Sequence, residues 1–124
     1  MDKLHLLFEE LRQGVDSCSK AASLQIRGDS RLPVPPDLEE AYGLLRKLLE
    51  SEQAIAAFEQ ASRQMCFGAI DSFLYMLDGN TSLVEHFFAQ LIDADTKEDL
   101  RPEDGTYVGE FSCYLLQRER AGGV

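Results

Sequence analysis

Two carboxylates lie in the most apolar stretch of the chain, GAIDSFLYMLDGNTSL, at residues 68–83. Asp71 and Asp78 are seven residues apart, which is about two turns of a helix, so a helix would place both on one face. A shared face would allow the two carboxylates to act together as a functional pair. The surrounding sequence indicates instead that each has a separate, structural role.

Asp78 precedes Gly79, a residue type that often ends helices in the left-handed conformation. We therefore predict that Asp78 is a turn residue in a joint between two helices, although its charge is unfavourable at a helix C-terminus. Asp71 has apolar neighbours, and a lone buried carboxylate is costly. We expect Asp71 to have a hydrogen-bonding or cationic partner, with Arg63 and Arg46 as candidates, or a water-facing position.

The sequence contains no recognisable motif for metal, cofactor or catalytic chemistry. The soft metal ligands are scattered, and no two have the close spacing of a zinc site. They are His5, Cys18, Cys66, His86 and Cys113. A calcium loop starting at Asp93 would have Glu98 where the turn requires glycine. No nucleophile elbow or phosphate-binding loop occurs. We predict no metal, no cofactor and no catalytic residues, and an enzyme assembled from distant residues is the third alternative.

Acidic residues are concentrated near the C-terminus. Residues 78–124 contain ten acids and four bases, whereas residues 1–77 contain twelve acids and eight bases. Carboxylates in the polar segment 93–105 can face lysines and arginines of a basic partner, which favours fast and selective association. A solvated acidic loop without a partner is the alternative reading. The predicted partner-binding residues are Asp93, Asp95, Glu98, Asp99, Glu103, Asp104, Glu85 and Asp78.

The composition is that of a folded, acidic protein. The chain has 124 residues, a formal net charge of −10 and 44% hydrophobic residues. This charge repels nucleic acid and anionic lipid, so we expect neither as a partner. No apolar run reaches the ~20 residues that cross a bilayer, and no signal-peptide core occurs. We therefore predict a cytoplasmic protein. Its three cysteines, at apolar pattern positions, are predicted to be reduced and buried.

Apolar spacing predicts most of the elements. A first helix covers residues 2–25, and a Pro-rich loop follows at 26–36. Asp37 and Glu40 form a predicted capping box for a second helix, and Ser51 is predicted to cap a third. The third helix, at 52–77, is apolar on nearly all sides over residues 68–77, as in the buried centre of a bundle. Gly68 would allow a kink or a close helix contact.

The C-terminal elements are less regular. Ser82 and Glu85 form a second predicted capping box, which would start a fourth helix with its apolar face at residues 83–92. An acidic loop covers residues 93–106, residues 107–117 fit a helix better than a strand, and 118–124 form a frayed tail. The predicted fold is all-α, a single-domain antiparallel bundle at 1–124 of about five helices with a long central helix.

The segment CFGAIDSFLYMLDGNTSL, residues 66–83, resembles segments of small bacterial immunity proteins. The shared feature is an apolar helix that ends in Leu-Asp-Gly. The resemblance implies a non-enzymatic immunity or antitoxin protein that binds a cognate toxin and blocks its active site or substrate groove; the negative charge suits a basic toxin. The alternative is a helical adaptor or effector chaperone that docks a partner helix, and a homodimer is left open.

Overall fold

A computed structural model of the chain describes residues 2–31 and 33–122. Over this part of the chain the structure contains four α-helices: α1 (Lys3–Arg27), α2 (Glu39–Leu48), α3 (Glu52–Leu77) and α4 (Tyr107–Ala121). Two short 3-10 helices, Pro36–Leu38 and Ser82–Glu85, and one isolated bridge between Ile92 and Asp99 complete the regular structure. The all-α class is confirmed, with four α-helices rather than about five.

The chain divides into two compact units. The first unit consists of Met1–Arg12 and Gly68–Val124, and the second unit is Gln13–Phe67. The first unit therefore contains the start of α1, the end of α3 and all of α4. The second contains the rest of α1 and α3, with α2.

Both long helices follow the apolar spacing of the sequence. The bounds of α3 are those predicted, and the Ser51 hydroxyl caps its start by accepting a hydrogen bond from the Ala54 amide at 3.0 Å. Gly79, with φ of +80°, ends the helix as predicted, and the Asn80 amide donates to the Tyr75 carbonyl at 3.2 Å. A side chain at Gly79 would strain the backbone and meet the Phe88 ring, since a Cβ there would lie 2.7 Å from Cε2.

The predicted capping box of α2 is wrong. Asp37 lies inside the 3-10 helix Pro36–Leu38, and α2 begins only at Glu39. Among the described residues no side chain caps α2, whose N-cap position is Leu38. Pro36 starts the 3-10 turn with its fixed φ, which places Asp37 one position before Leu38, the N-cap position of α2. Leu32, within the predicted Pro-rich loop, lies outside the described residues, as does Met1.

The predicted fourth helix over residues 83–92 is also wrong. Only the single 3-10 turn Ser82–Glu85 forms, and its cap is Thr81, whose hydroxyl accepts from the Leu83 amide. Beyond it the chain reverses, with the Leu100 amide donating to the Leu91 carbonyl at 3.0 Å. Asp93 favours this reversal because its carboxylate accepts hydrogen bonds from the amides of Asp95 and Thr96, a turn geometry that competes with a helix.

Residues 107–117 are helical, which decides between the two readings of that segment. The Thr106 hydroxyl caps α4 by accepting from the Gly109 amide at 3.0 Å. The helix continues to Ala121, so the predicted frayed tail is wrong for residues 118–121. Residues 123 and 124 of that tail lie outside the part of the chain described.

The end of α3 is not a buried centre. Leu74 and Leu77 are buried, but Phe73 and Tyr75 are each 50% exposed. No described atom outside the helix comes within 4 Å of a Cβ built on Gly68, so the predicted close contact there is wrong. The apolar side chains of this segment exceed what the first unit covers, which leaves one side of the helix apolar and accessible.

The cysteines are also more accessible than their pattern positions indicated. Cys18 and Cys113 are exposed, Cys66 is half-buried, and all three are free thiols. The predicted burial is therefore wrong for Cys18 and Cys113. Within the described residues, no helix has both the length and the apolar character needed to cross a membrane.

Candidate partner-binding site

An acid-lined cavity of about 600 Å³ lies in the first unit. Three segments form it: the start of α1, the chain at residues 98–104 and the first turn of α4. Six carboxylates and two basic side chains are among its lining residues. The carboxylates are Asp2, Glu98, Asp99, Glu103, Asp104 and Glu110, and the basic side chains are Lys3 and Arg101.

The start of α1 anchors the acidic segment. Asp2 caps the helix by accepting from the Leu4 amide at 2.9 Å. Lys3 Nζ then lies 2.7 Å from Asp93 Oδ2 and 2.7 Å from Glu98 Oε2. The hydrogen bond from Lys3, with those from the amides of Asp95 and Thr96, lowers the pKa of Asp93 to about 2. The same two carboxylates raise the pKa of Lys3.

The guanidinium of the other basic residue of the cavity, Arg101, bonds to groups other than the cavity's carboxylates. The Arg101 guanidinium donates to the Leu77 carbonyl at 3.0 Å, beyond the end of α3. It also lies over the rings of Phe88 and Tyr107, with 5.0 and 4.8 Å from Cζ to the ring centroids. These contacts hold Arg101 against the first unit's aromatic side chains.

Several cavity carboxylates keep acceptor capacity. Among residues 2–31 and 33–122, the Asp99 carboxylate accepts only the Arg101 amide, at 2.9 Å. Glu103 and Asp104 are exposed and form no hydrogen bond or ion pair within the described part of the chain. Glu110 Oε1 lies 3.0 Å from His5 Nε2, at the margin of the cavity. The cavity therefore presents clustered, accessible negative charge that can accept hydrogen bonds from lysine or arginine side chains.

The structure brings together four of the eight residues predicted to bind a partner: Glu98, Asp99, Glu103 and Asp104 line one cavity. Asp93 lies in the adjoining turn and is held by Lys3. Asp95 and Glu85 are exposed but do not line the cavity. Sequence reasoning missed Asp2 and Glu110, because no local pattern indicates that the start of α1 and the first turn of α4 meet this segment.

Asp78 has a different position from the rest of that set. Its side chain is 1% exposed, and its two oxygens accept from the amides of Tyr107 and Val108 at 2.8 and 3.1 Å. Arg101 lies 3.8 Å away. Asp78 is thus a turn residue, as predicted, and its carboxylate also caps the start of α4, where the helix dipole favours a negative charge. It is not accessible to a partner in this conformation.

Neither candidate cation, Arg63 or Arg46, pairs with Asp71 in the part of the chain that the structure describes, and the half-buried Asp71 keeps the partly water-facing position that was the alternative. Arg63 donates to Asp16 at 2.6 Å, and Arg46 donates to the Ile26 carbonyl at 2.8 Å. Among the residues that the structure describes, none forms a hydrogen bond or ion pair with the half-buried Asp71. Desolvation accordingly raises the pKa of its carboxyl.

A second cavity of the first unit is almost entirely apolar. It has a volume of about 300 Å³ and is lined by Leu7 and Leu11 of α1, four residues of α3, and Leu91. The half-exposed Phe73 is part of this lining. The first unit therefore combines an acidic cavity with an apolar one, the two kinds of surface that a protein partner with basic and hydrophobic side chains can use.

The geometry offers no clear metal site. No three histidine, cysteine or acidic side chains of the described residues are grouped so that they could hold a metal ion. Comparison of the chain with protein-family models, with curated proteins and with solved structures found no match. The resemblance to immunity proteins therefore stays a prediction.

Proposed function

We propose that this protein is a non-enzymatic, cytoplasmic immunity protein that neutralises a cognate basic bacterial toxin by direct binding. The observation that supports the proposal best is the acidic cavity, which gathers six carboxylates from three segments of the chain. With a net charge of −10, this surface attracts a basic protein at long range and selects it over acidic or neutral proteins.

Charge alone seldom supplies the affinity of a tight complex. Hydrophobic anchors in desolvated pockets usually carry most of the binding energy. The apolar cavity at Leu7, Leu11 and Phe73 supplies a place for such an anchor. We propose that a lysine- or arginine-bearing segment of the toxin occupies the acidic cavity and an adjacent apolar side chain enters the second one. Binding in this way would cover the toxin's active site or substrate groove.

The adaptor function is the second candidate, and the apolar cavity favours it. An amphipathic partner helix can place apolar side chains in a groove of this kind with no contribution from the acidic cavity. A second copy of the chain is one such partner. Light scattering tests for a homodimer, and a partner complex that is insensitive to charge reversal would support the adaptor function over the immunity function.

The test of the immunity function begins with the product of the adjoining gene. Co-expression should yield a one-to-one complex whose affinity falls as the salt concentration rises, because screening weakens its charge pairs. A variant with four cavity acids changed to lysine should bind at least about tenfold more weakly and show a flatter salt dependence. The four positions are Glu98, Asp99, Glu103 and Asp104.

A matched control changes the net charge equally at four exposed acids outside the cavity. These are Glu10, Asp37, Glu50 and Glu119. If the two variants lose affinity equally, net charge and not the cavity governs binding. If neither variant loses affinity, the acidic cavity is not the binding site.

A further inference from the structure

A cavity of about 540 Å³ in the second unit has more basic than acidic side chains in its lining. Acids outnumber bases by 22 to 12 in the whole chain, so this cavity departs from the charge of the protein. It lies beside the ends of α1 and α2. The bases are Arg27, Arg46 and Lys47, and the lining also includes Asp29, Glu50 and Leu49.

The charges of the lining are only partly paired. Arg27 Nη2 lies 3.4 Å from Asp29 Oδ2, which accounts for one base and one acid. Glu50 is exposed and forms no hydrogen bond or ion pair within the described part of the chain. Over the same residues, neither Arg46 nor Lys47 has a carboxylate partner. Two cations of the cavity are therefore left for a ligand.

The end of α1 fixes the guanidinium of Arg46. Its Nε donates to the Ile26 carbonyl at 2.8 Å, and its Nη2 lies 3.5 Å from the position of a Cβ built on Gly28. Gly28 has a φ of +82°, the left-handed conformation that commonly ends a helix. The two terminal NH₂ groups of Arg46 donate no hydrogen bond to the residues that the structure describes. A planar guanidinium held in this way can donate paired hydrogen bonds to one oxyanion.

The carbonyls at the two helix ends already have donors. Such carbonyls carry partial negative charge, which would otherwise oppose an anion. The amides of Gly28 and Asp29 donate to carbonyls in the last turn of α1 at 3.2 and 2.9 Å, and Arg46 Nε donates to a third. The Leu49 amide donates to a carbonyl in the last turn of α2 at 2.9 Å. These bonds leave the terminal NH₂ groups of Arg46 and the ammonium of Lys47 available.

We propose that this cavity is an anion-binding site that takes a phosphate group, from inorganic phosphate or from a small phosphate ester. At neutral pH a phosphate ester carries a charge of about −1.5 to −2, which balances the two unpaired cations, Arg46 and Lys47. Arginine supplies paired hydrogen bonds to phosphate oxygens, and lysine supplies a point charge. A carboxylate has a single negative charge and would leave one of the two cations unpaired.

This inference does not rest on the proposed immunity function. The residues of the phosphate site belong to the second unit, whereas both cavities of the candidate partner-binding site belong to the first. The net charge of −10 repels a dianion at long range, but salt screens that repulsion beyond about 8 Å at physiological ionic strength. Binding therefore depends on the local charge of Arg46 and Lys47.

The experiment titrates the isotopically labelled full chain with sodium phosphate and, separately, with glycerol 3-phosphate. We expect saturable amide chemical-shift changes at residues 27–29 and 43–50, and calorimetry should give the dissociation constants. Sodium acetate at matched ionic strength is the monoanion control and should leave those amides unchanged. Tighter binding of the ester would identify a small phosphate ester as the ligand, and equal or tighter binding of sodium phosphate would identify free phosphate.

Two exposed residues of the lining give variants with effects of opposite sign. Lys47→Gln removes an unpaired cation and should weaken phosphate binding about fivefold, the upper range for an exposed charge pair. Glu50→Gln removes the unpaired carboxylate and should strengthen binding about twofold. Lys20→Gln is the matched control for Lys47→Gln, because it makes the same charge change at an exposed position of α1 in the same unit. It should bind phosphate as the wild type does.

Three results would overturn the proposal. They are the absence of a saturable shift with either phosphate compound, an equal shift with acetate, and an equal loss of affinity in Lys47→Gln and Lys20→Gln. The last result would assign phosphate binding to net charge and not to the cavity. Lys47, Glu50 and Lys20 are exposed, so the variants should melt at the temperature of the wild type, and a change in their affinity reports on the site itself.

Discussion

The two compact units bury different kinds of side chain. In the first unit, Phe8, Tyr107 and Phe111 are fully buried, and the rings of Phe8 and Phe111 have centroids 4.9 Å apart. In the second unit, the described buried residues include Ser19, Ser23 and Ser62, and the buried apolar residues are fewer than those of the first unit. Large apolar rings thus hold together segments of the first unit that are distant in sequence, whereas the second unit also buries small hydroxyl side chains.

Carboxylates also have different roles in the two units. In the first, the buried Asp78 accepts two backbone amides of α4. In the second, Asp16 and Glu59 are only partly covered and bond to side chains of the facing helix. A buried carboxylate that caps a helix stabilises the fold more than a partly exposed side-chain pair, because leaving buried amides unsatisfied is costly.

The largest effect should come from the aromatic core. Phe111→Ala is expected to lower the free energy of unfolding by about 3–5 kcal/mol, because it removes a fully buried ring and leaves a cavity. Urea denaturation measures the change. Phe73→Ala is the matched control, since that ring is 50% exposed, and it should cost under about 1.5 kcal/mol. Equal costs would contradict the difference between core and surface rings.

Asp78→Ala should have the next largest effect. It removes the acceptor of two buried amides and the anion at the start of α4, and we expect a loss of about 2–3 kcal/mol in unfolding free energy. Hydrogen exchange should show faster exchange for the first turn of α4. Asp95→Ala, at an exposed position in the acidic turn, serves as the control. Unchanged exchange in α4 would show that Asp78 is not its cap.

The full burial of Ser23 in the second unit predicts sensitivity to a larger side chain at this position. Ser23→Val adds bulk at a fully buried position and removes the bond to Glu59, with an expected cost of about 1–3 kcal/mol. The same change at the exposed Ser17 of α1 has the same effect on helix propensity, so the difference between the two variants measures the added bulk together with the lost bond to Glu59. If Ser23→Val costs no more than Ser17→Val, the helices are not closely packed there.

Replacing Asp71 should have a small effect on the free energy of unfolding, and the effect should be stabilising rather than destabilising. Because desolvation raises its pKa in the folded state, the charged form opposes folding at neutral pH. Asp71→Asn should therefore raise the free energy of unfolding slightly at pH 7, as urea denaturation would measure. The gain should shrink as the pH falls through the raised pKa towards 3.8, the ordinary value. A destabilised variant at pH 7 would indicate that the carboxylate forms a stabilising contact.

The ion pair between Lys3 and Asp93 predicts that the stability of the protein falls modestly as the pH is lowered. Folding lowers the pKa of Asp93 from 3.8 to about 2, so its contribution to stability is present above pH 4 and is lost as the pH falls towards 2. Lys3→Met removes the partner of Asp93, so it should reduce the part of the acid-induced fall in melting temperature that comes from protonation of Asp93. Lys20→Met, at an exposed position of α1, should leave that fall unchanged. Parallel acid profiles for the two variants would contradict the pairing.

Local sequence patterns predicted the long helices well. The spacing of apolar residues, the Ser51 cap and the Gly79 stop involve residues within a few positions of one another, so they can be read from the chain. The net charge and the acidic character of residues 93–104 are likewise properties of composition. Four of the predicted acids do share one cavity, although Asp78 lies outside it and is buried.

Contacts between distant residues account for the predictions that were wrong. Residues 83–92 have helical spacing, yet the reversal at Asp93 and the bond from the Leu91 amide to the Tyr107 hydroxyl at 3.3 Å favour a different path. Asp78 is unfavourable for α3 but caps α4, which begins 29 residues later. Local spacing predicts how a segment folds because its bonds are short in sequence, whereas tertiary packing determines which distant groups meet.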